Sequence, residues 1–121
     1  MVTLEFLREH IDFINLKNLC ELAGMPYRTL NSKLYLDLKK PALSTDESLK
    51  FEQILREHGI VQRRTISGEE LRNNPILKVG PLIKEAGLTS WAAQKISRGK
   101  PLKEDEKKAL AAVITKIAKA F

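Results

Sequence analysis

The chain has 121 residues, a single cysteine and a formal net charge of +6, with 43% apolar and 30% charged residues. That length suits one ordinary domain or two very small ones that lean on each other, and one cysteine excludes an internal disulfide. No run approaches the roughly 18 apolar residues of a membrane span, and Glu5, Arg8, Glu9 and Asp12 make the first residues an amphipathic helix rather than a signal peptide. The expectation is a cytoplasmic protein without a membrane partner.

Charge is unevenly placed. Residues 1–60 hold 8 Lys/Arg against 9 Asp/Glu, a net of −1, whereas residues 61–121 hold 13 against 6, a net of +7. A segment this basic points to a polyanion, because each phosphate it neutralises releases counterions. Lysines kept for solubility are the alternative.

Leu4, Leu7, Ile11 and Ile14 recur at helical spacing and predict a first helix over residues 3–14. Asn15 is placed to cap the next, on which Leu16, Leu19 and Leu22 form one stripe ending at Ala23-Gly24; Cys20 lies inside this helix as a small buried hydrophobe. Pro26 opens a helix to about residue 36 with Leu30 and Leu34 inward. Ser44-Thr45-Asp46-Glu47 is a capping-box pattern, and the helix it begins carries Leu49, Ile54 and Leu55 and stops at His58-Gly59.

Residues 60–67 read as a linker with Arg63 and Arg64 exposed. Ser67-Gly68-Glu69-Glu70 is a second capping-box pattern, and Asn73-Asn74-Pro75 ends the short helix after it. Pro81 begins a helix that ends at Gly87; Thr89 caps another through about Ser97, with Ala93 and Ile96 inward. Arg98-Gly99-Lys100-Pro101 is a loop, and Leu110, Val113, Ile114 and Ile117 mark a last helix from about Lys103. No strand is expected, so the fold class is all-α.

Two stretches repeat 63 residues apart: Leu19-Cys20-Glu21-Leu22-Ala23-Gly24-Met25 and Leu82-Ile83-Lys84-Glu85-Ala86-Gly87-Leu88. Each is followed by a short helix, a basic proline loop (Lys39-Lys40-Pro41, Lys100-Pro101) and a longer amphipathic helix, which is the order of a helix-turn-helix unit. The glycine ends a helix in the left-handed conformation, and the next apolar residue plugs the corner. The expected organisation is two tandem units of four to five helices, residues 1–60 near neutral and residues 61–121 basic.

The run from Gly87 to Lys100 resembles the turn and recognition helix of the lambda-repressor/Cro-like helix-turn-helix family, on the small residue before the turn glycine, the hydroxyl cap after it, the apolar residues at Ala93 and Ile96, and Gly99. The resemblance covers residues 79–101 well and residues 16–43 less closely. It implies a repressor-like regulator of transcription whose recognition helix enters the major groove of double-stranded DNA. It puts Ser90, Trp91 and Lys95 at base edges, with Gln94, Arg98 and Lys100 toward the backbone. Lysine suits guanine, and glutamine suits adenine or phosphate. Tryptophan departs from the usual polar choice, and either a thymine methyl or a protein partner would suit it. In the first copy Pro26 replaces the hydroxyl cap, and the matching positions are Tyr27, Arg28, Asn31 and Ser32, with Lys33 beside them.

No metal, cofactor or catalytic set is expected. His10 and His58 lack a second ligand at metal spacing, the acids at Glu69-Glu70 and Glu104-Asp105-Glu106 fall in first helical turns, and the glycines make no phosphate loop. The rival to a DNA-binding regulator is a helical interaction module or adaptor, anchored by Trp91 and Tyr27 on a homodimer mate or another protein.

Overall fold

A computed structural model describes residues 1–35 and 42–121. Among the described residues it holds eight helices and no strand: α1 Leu4–Glu9, α2 Leu16–Ala23, α3 Tyr27–Tyr35, α4 Thr45–Glu57, α5 Gly68–Asn73, α6 Val79–Glu85, α7 Ser90–Ser97 and α8 Glu104–Ala118. None is long and apolar enough to cross a membrane. The Lys39-Lys40-Pro41 loop lies outside the described residues.

Local sequence explains most helix ends. Thr3 Oγ1 accepts the Phe6 N–H and starts α1, Asn15 Oδ1 accepts the Asn18 N–H and starts α2, and Ser44 and Glu47 complete a reciprocal capping box on α4. α2 ends at Gly24, φ +69°, and the second copy of the turn at Gly87, φ +72°. In both, the residue after the glycine donates back into the helix, Met25 to Cys20 O and Leu88 to Ile83 O, each at 3.0 Å. His10 and His58 are half-buried helix ends rather than free surface residues: each Nδ1 lies 2.8 Å from the carbonyl four residues back, Phe6 O or Ile54 O.

α1 is shorter than its periodicity predicts. It stops at Glu9, and the next residues turn so that Ile14 pairs with Leu77 in an isolated antiparallel bridge. Asn15 N–H donates to Ile76 O at 2.7 Å and Lys78 N–H to Phe13 O at 2.8 Å. These backbone groups are satisfied across the chain instead of within a continued helix. The bridged residues are 63 apart, as are Phe13 and Ile76 and also Asn15 and Lys78, so the bridge joins corresponding positions of the repeat. Packing repeats as well: α3 contacts α1 and α2, and α2 contacts α4; in the same order α7 contacts α5 and α6, and α6 contacts α8.

Buried side chains from both halves form one cluster, from Leu7, Leu19, Leu30 and Leu55 to Leu71, Leu82, Leu110 and Ile114. The Phe6 and Phe121 rings meet edge to face, centroids 5.0 Å apart, joining α1 to the end of the chain. Leu22 and Leu49, apolar positions of the expected stripes, are half-exposed: the buried faces are Leu16, Leu19, Cys20 and Ala23 on α2, and Ser48, Phe51, Ile54 and Leu55 on α4. Residues 60–67 are anchored rather than a free linker, with Ile60 and Ile66 buried. Arg63 is likewise not exposed, because its Nη1 pairs with Glu70 Oε1 at 2.7 Å. That pairing turns Glu70 away from the Ser67 N–H, so only the Ser67 half of the second capping box forms. α6 starts at Val79, two residues before Pro81, whose missing N–H has no intrahelical partner to lose there.

Candidate nucleic-acid interface

The left-handed turn at Gly87 swings the chain into α7, whose inner face is Ala92 and Ile96. The sequence pattern had Ala93 in that role, but packing turns Ala92 fully inward and leaves Ala93 half-buried at the edge. The outer face presents Ser90, Trp91, Gln94 and Ser97 to solvent, followed by Arg98 and Lys100. Trp91 is 69% exposed, a large apolar ring on an otherwise polar surface. Neither Arg98 nor Lys100 forms an ion pair with a described residue.

Lys95 is placed differently from the free outer cation the sequence suggests. Its ammonium lies 3.0 Å from Glu106 Oε1, with the two side chains 28% and 13% exposed. The same carboxylate oxygen accepts the Lys103 N–H at 2.8 Å and so caps the start of α8. Hydrogen bonding from the Lys103 backbone, and then from Lys95, holds the Glu106 carboxyl below the usual glutamate range. Lys95 thus ties α7 to α8.

The first copy repeats this device. Lys33 on α3 lies 3.0 Å from Glu47 Oε1, which also accepts the Ser44 N–H at 2.8 Å at the start of α4. Partial burial works to raise the Glu47 pKa, but the Ser44 and Lys33 contacts outweigh it and the carboxyl sits low. Tyr27, Arg28 and Asn31 are exposed on α3, while Ser32 is half-buried between them and the core. Arg8 on α1 donates from Nε to Leu34 O at 3.2 Å and from Nη2 to Lys33 O at 3.4 Å, capping the end of α3. Arg72 on α5 lies near the end of α7, with its guanidinium over Gly99 where a Cβ would meet it.

No family model, curated protein or solved structure matches the chain. The functional reading rests on the residues themselves.

Two sets of contacts escaped sequence reasoning. The Arg8 cap and the Arg72 guanidinium over Gly99 have a faint signal, Leu7-Arg8 and Leu71-Arg72, one residue out of register with the 63-residue repeat. The lysine-to-capping-glutamate pairs have none that periodicity reveals: the partners are 14 residues apart in the first copy and 11 in the second, because the intervening segments differ in length. Of the residues expected at base edges, Ser90 and Trp91 share the outer face of α7 with Gln94 while Lys95 turns to Glu106, and on α3 Tyr27, Arg28 and Asn31 are exposed while Ser32 is half-buried.

Proposed function

We propose that the chain binds double-stranded DNA as a transcriptional regulator made of two tandem helix-turn-helix units of the lambda-repressor/Cro-like kind, residues 1–60 and 61–121. α7 enters the major groove. Ser90, Trp91 and Gln94 face base edges, Trp91 packing on a thymine methyl and Gln94 pairing with adenine, while Arg98 and Lys100 hold the flanking backbone. Lys95 reaches a base only by exchanging Glu106 for it. Tyr27, Arg28, Asn31 and Ser32 on α3 form the second, weaker reader. The observation that carries this reading is the exposed outer face of α7, immediately after the left-handed turn and beside two cations without a carboxylate partner among the described residues.

The test is titration of the full chain against a selected duplex and a random one across a range of salt. Gln94→Ala and Trp91→Ala should each cost about 1 to 3 kcal/mol on the selected duplex and little on the random one. Lys100→Ala should weaken both alike and make the logarithmic salt slope shallower by about 0.9. Absence of duplex binding at low salt rejects the reading. It would then favour an interaction module with the exposed Trp91 indole as its anchor on a protein partner.

A further inference from the structure

A second cationic surface lies on the outer flank of α8. Lys108, Lys116 and Lys119 stand along the helix with Ala112 and Thr115 between them, and Arg64 faces them across a shallow groove of about 630 Å³. Arg64 is held there by its neighbour: the Arg63 N–H donates to Thr115 Oγ1 and the Thr115 hydroxyl donates to Arg63 O, both at 2.9 Å. This reciprocal pair pins the segment between the two halves against α8.

Among the described residues, no carboxylate lines the groove. Arg64, Lys108, Lys116 and Lys119 form no ion pair with a described residue, whereas Lys33, Arg56, Arg63, Lys95 and Lys107 all do. Like charges held side by side repel, and the fold adds Arg64 to the row instead of an acid. At about 1.5 Å of rise per residue, Lys108 and Lys119 are about 16 Å apart along α8. A row of that length matches consecutive phosphates of a strand and exceeds a single phosphate group. Its floor is Ala112 and Thr115, with no large apolar side chain to enter a lipid layer.

We propose that this groove is a second DNA contact, in which Arg64, Lys108, Lys116 and Lys119 hold the phosphodiester backbone of a duplex without regard to sequence. It rests on the reading of duplex DNA as partner and adds a site separate from the outer face of α7.

A random-sequence fluorescent duplex titrated between about 50 and 300 mM salt tests it, the range over which phosphate contacts are lost. The proteins are the full chain, the triple variant Lys108→Gln, Lys116→Gln, Lys119→Gln, and Lys50→Gln as an exposed control on α4. Glutamine keeps the helix propensity of lysine, so the triple variant retains α8. Its logarithmic salt slope should be shallower by about 2 to 3, at about 0.9 per phosphate contact, with its preference for the selected duplex unchanged. A triple variant with the slope of Lys50→Gln overturns the groove and leaves the α7 reading standing. Failure of the unaltered chain to bind any duplex overturns both. If the triple variant does not fold, Arg64→Gln alone decides: a slope shallower by about 1 supports the site and an unchanged slope refutes it.

Discussion

Removing the charges of the Lys95–Glu106 pair isolates the joint between α7 and α8. Lys95→Met keeps the aliphatic stem, and Glu106→Gln keeps an oxygen that accepts the Lys103 N–H, so each change removes one charge and little else. Exposed ion pairs contribute about 0.2 to 1 kcal/mol. With the ammonium 3.0 Å from the carboxylate and both side chains mostly covered, this pair belongs near the top of that range. Urea denaturation of the parent, both single variants and the double variant gives the coupling energy, expected at about 1 kcal/mol at pH 7 and low salt. The pH dependence has a definite sign. The Glu106 carboxyl is held low in the folded chain, so its stabilisation is complete above the unfolded glutamate value of about 4.5 and is lost as pH falls through the lower folded value. The coupling therefore vanishes in acid. The Lys33–Glu47 pair, also 3.0 Å apart, is expected to behave in the same way. A coupling at pH 7 no larger than about 0.3 kcal/mol, the limit within which independent sites add, would refute the joint.

Gly87→Ala should cost about 1 to 2 kcal/mol, all of it from the left-handed backbone, since a Cβ at Gly87 meets nothing within 4 Å. Gly99→Ala should cost about the same in the same denaturation assay, because its backbone is equally left-handed and the Arg72 guanidinium over it is the free end of a flexible side chain that can swing aside; a markedly larger cost would show that Arg72 is held there. Burial pushes the Cys20 thiol up to about 11, so a maleimide at pH 8 should label the chain only after denaturant is added. Labelling of the native chain at the rate of a free thiol would contradict the packing of α2.

Sequence alone determined what depends on neighbours along the chain. The all-helical character follows from the spacing of apolar residues. The starts of α2 and α4 follow from Asn15 and Ser44, whose side chains meet N–H groups three residues on. Gly24 and Gly87 announce their turns because only glycine adopts that backbone without strain. Helical spacing made legible which residues of α3 and α7 share a side, but not which of them face solvent: Lys95 turns to Glu106 and Ser32 is half-buried.

Tertiary structure decided what depends on distant partners. Leu22 and Leu49 are apolar yet half-exposed, because packing against other helices selects one narrow stripe and these two fall beside it. α1 stops early because residues from the other half satisfy the backbone around Ile14. Arg63 and Lys95 read as free surface cations, but the fold brings Glu70 and Glu106 to them. It also gathers Arg64 with the lysines of α8, more than 40 residues further along the chain. A charge is legible in the sequence, but its partner is not, because whether a cation meets a carboxylate or open solvent depends on chain segments that local pattern does not connect.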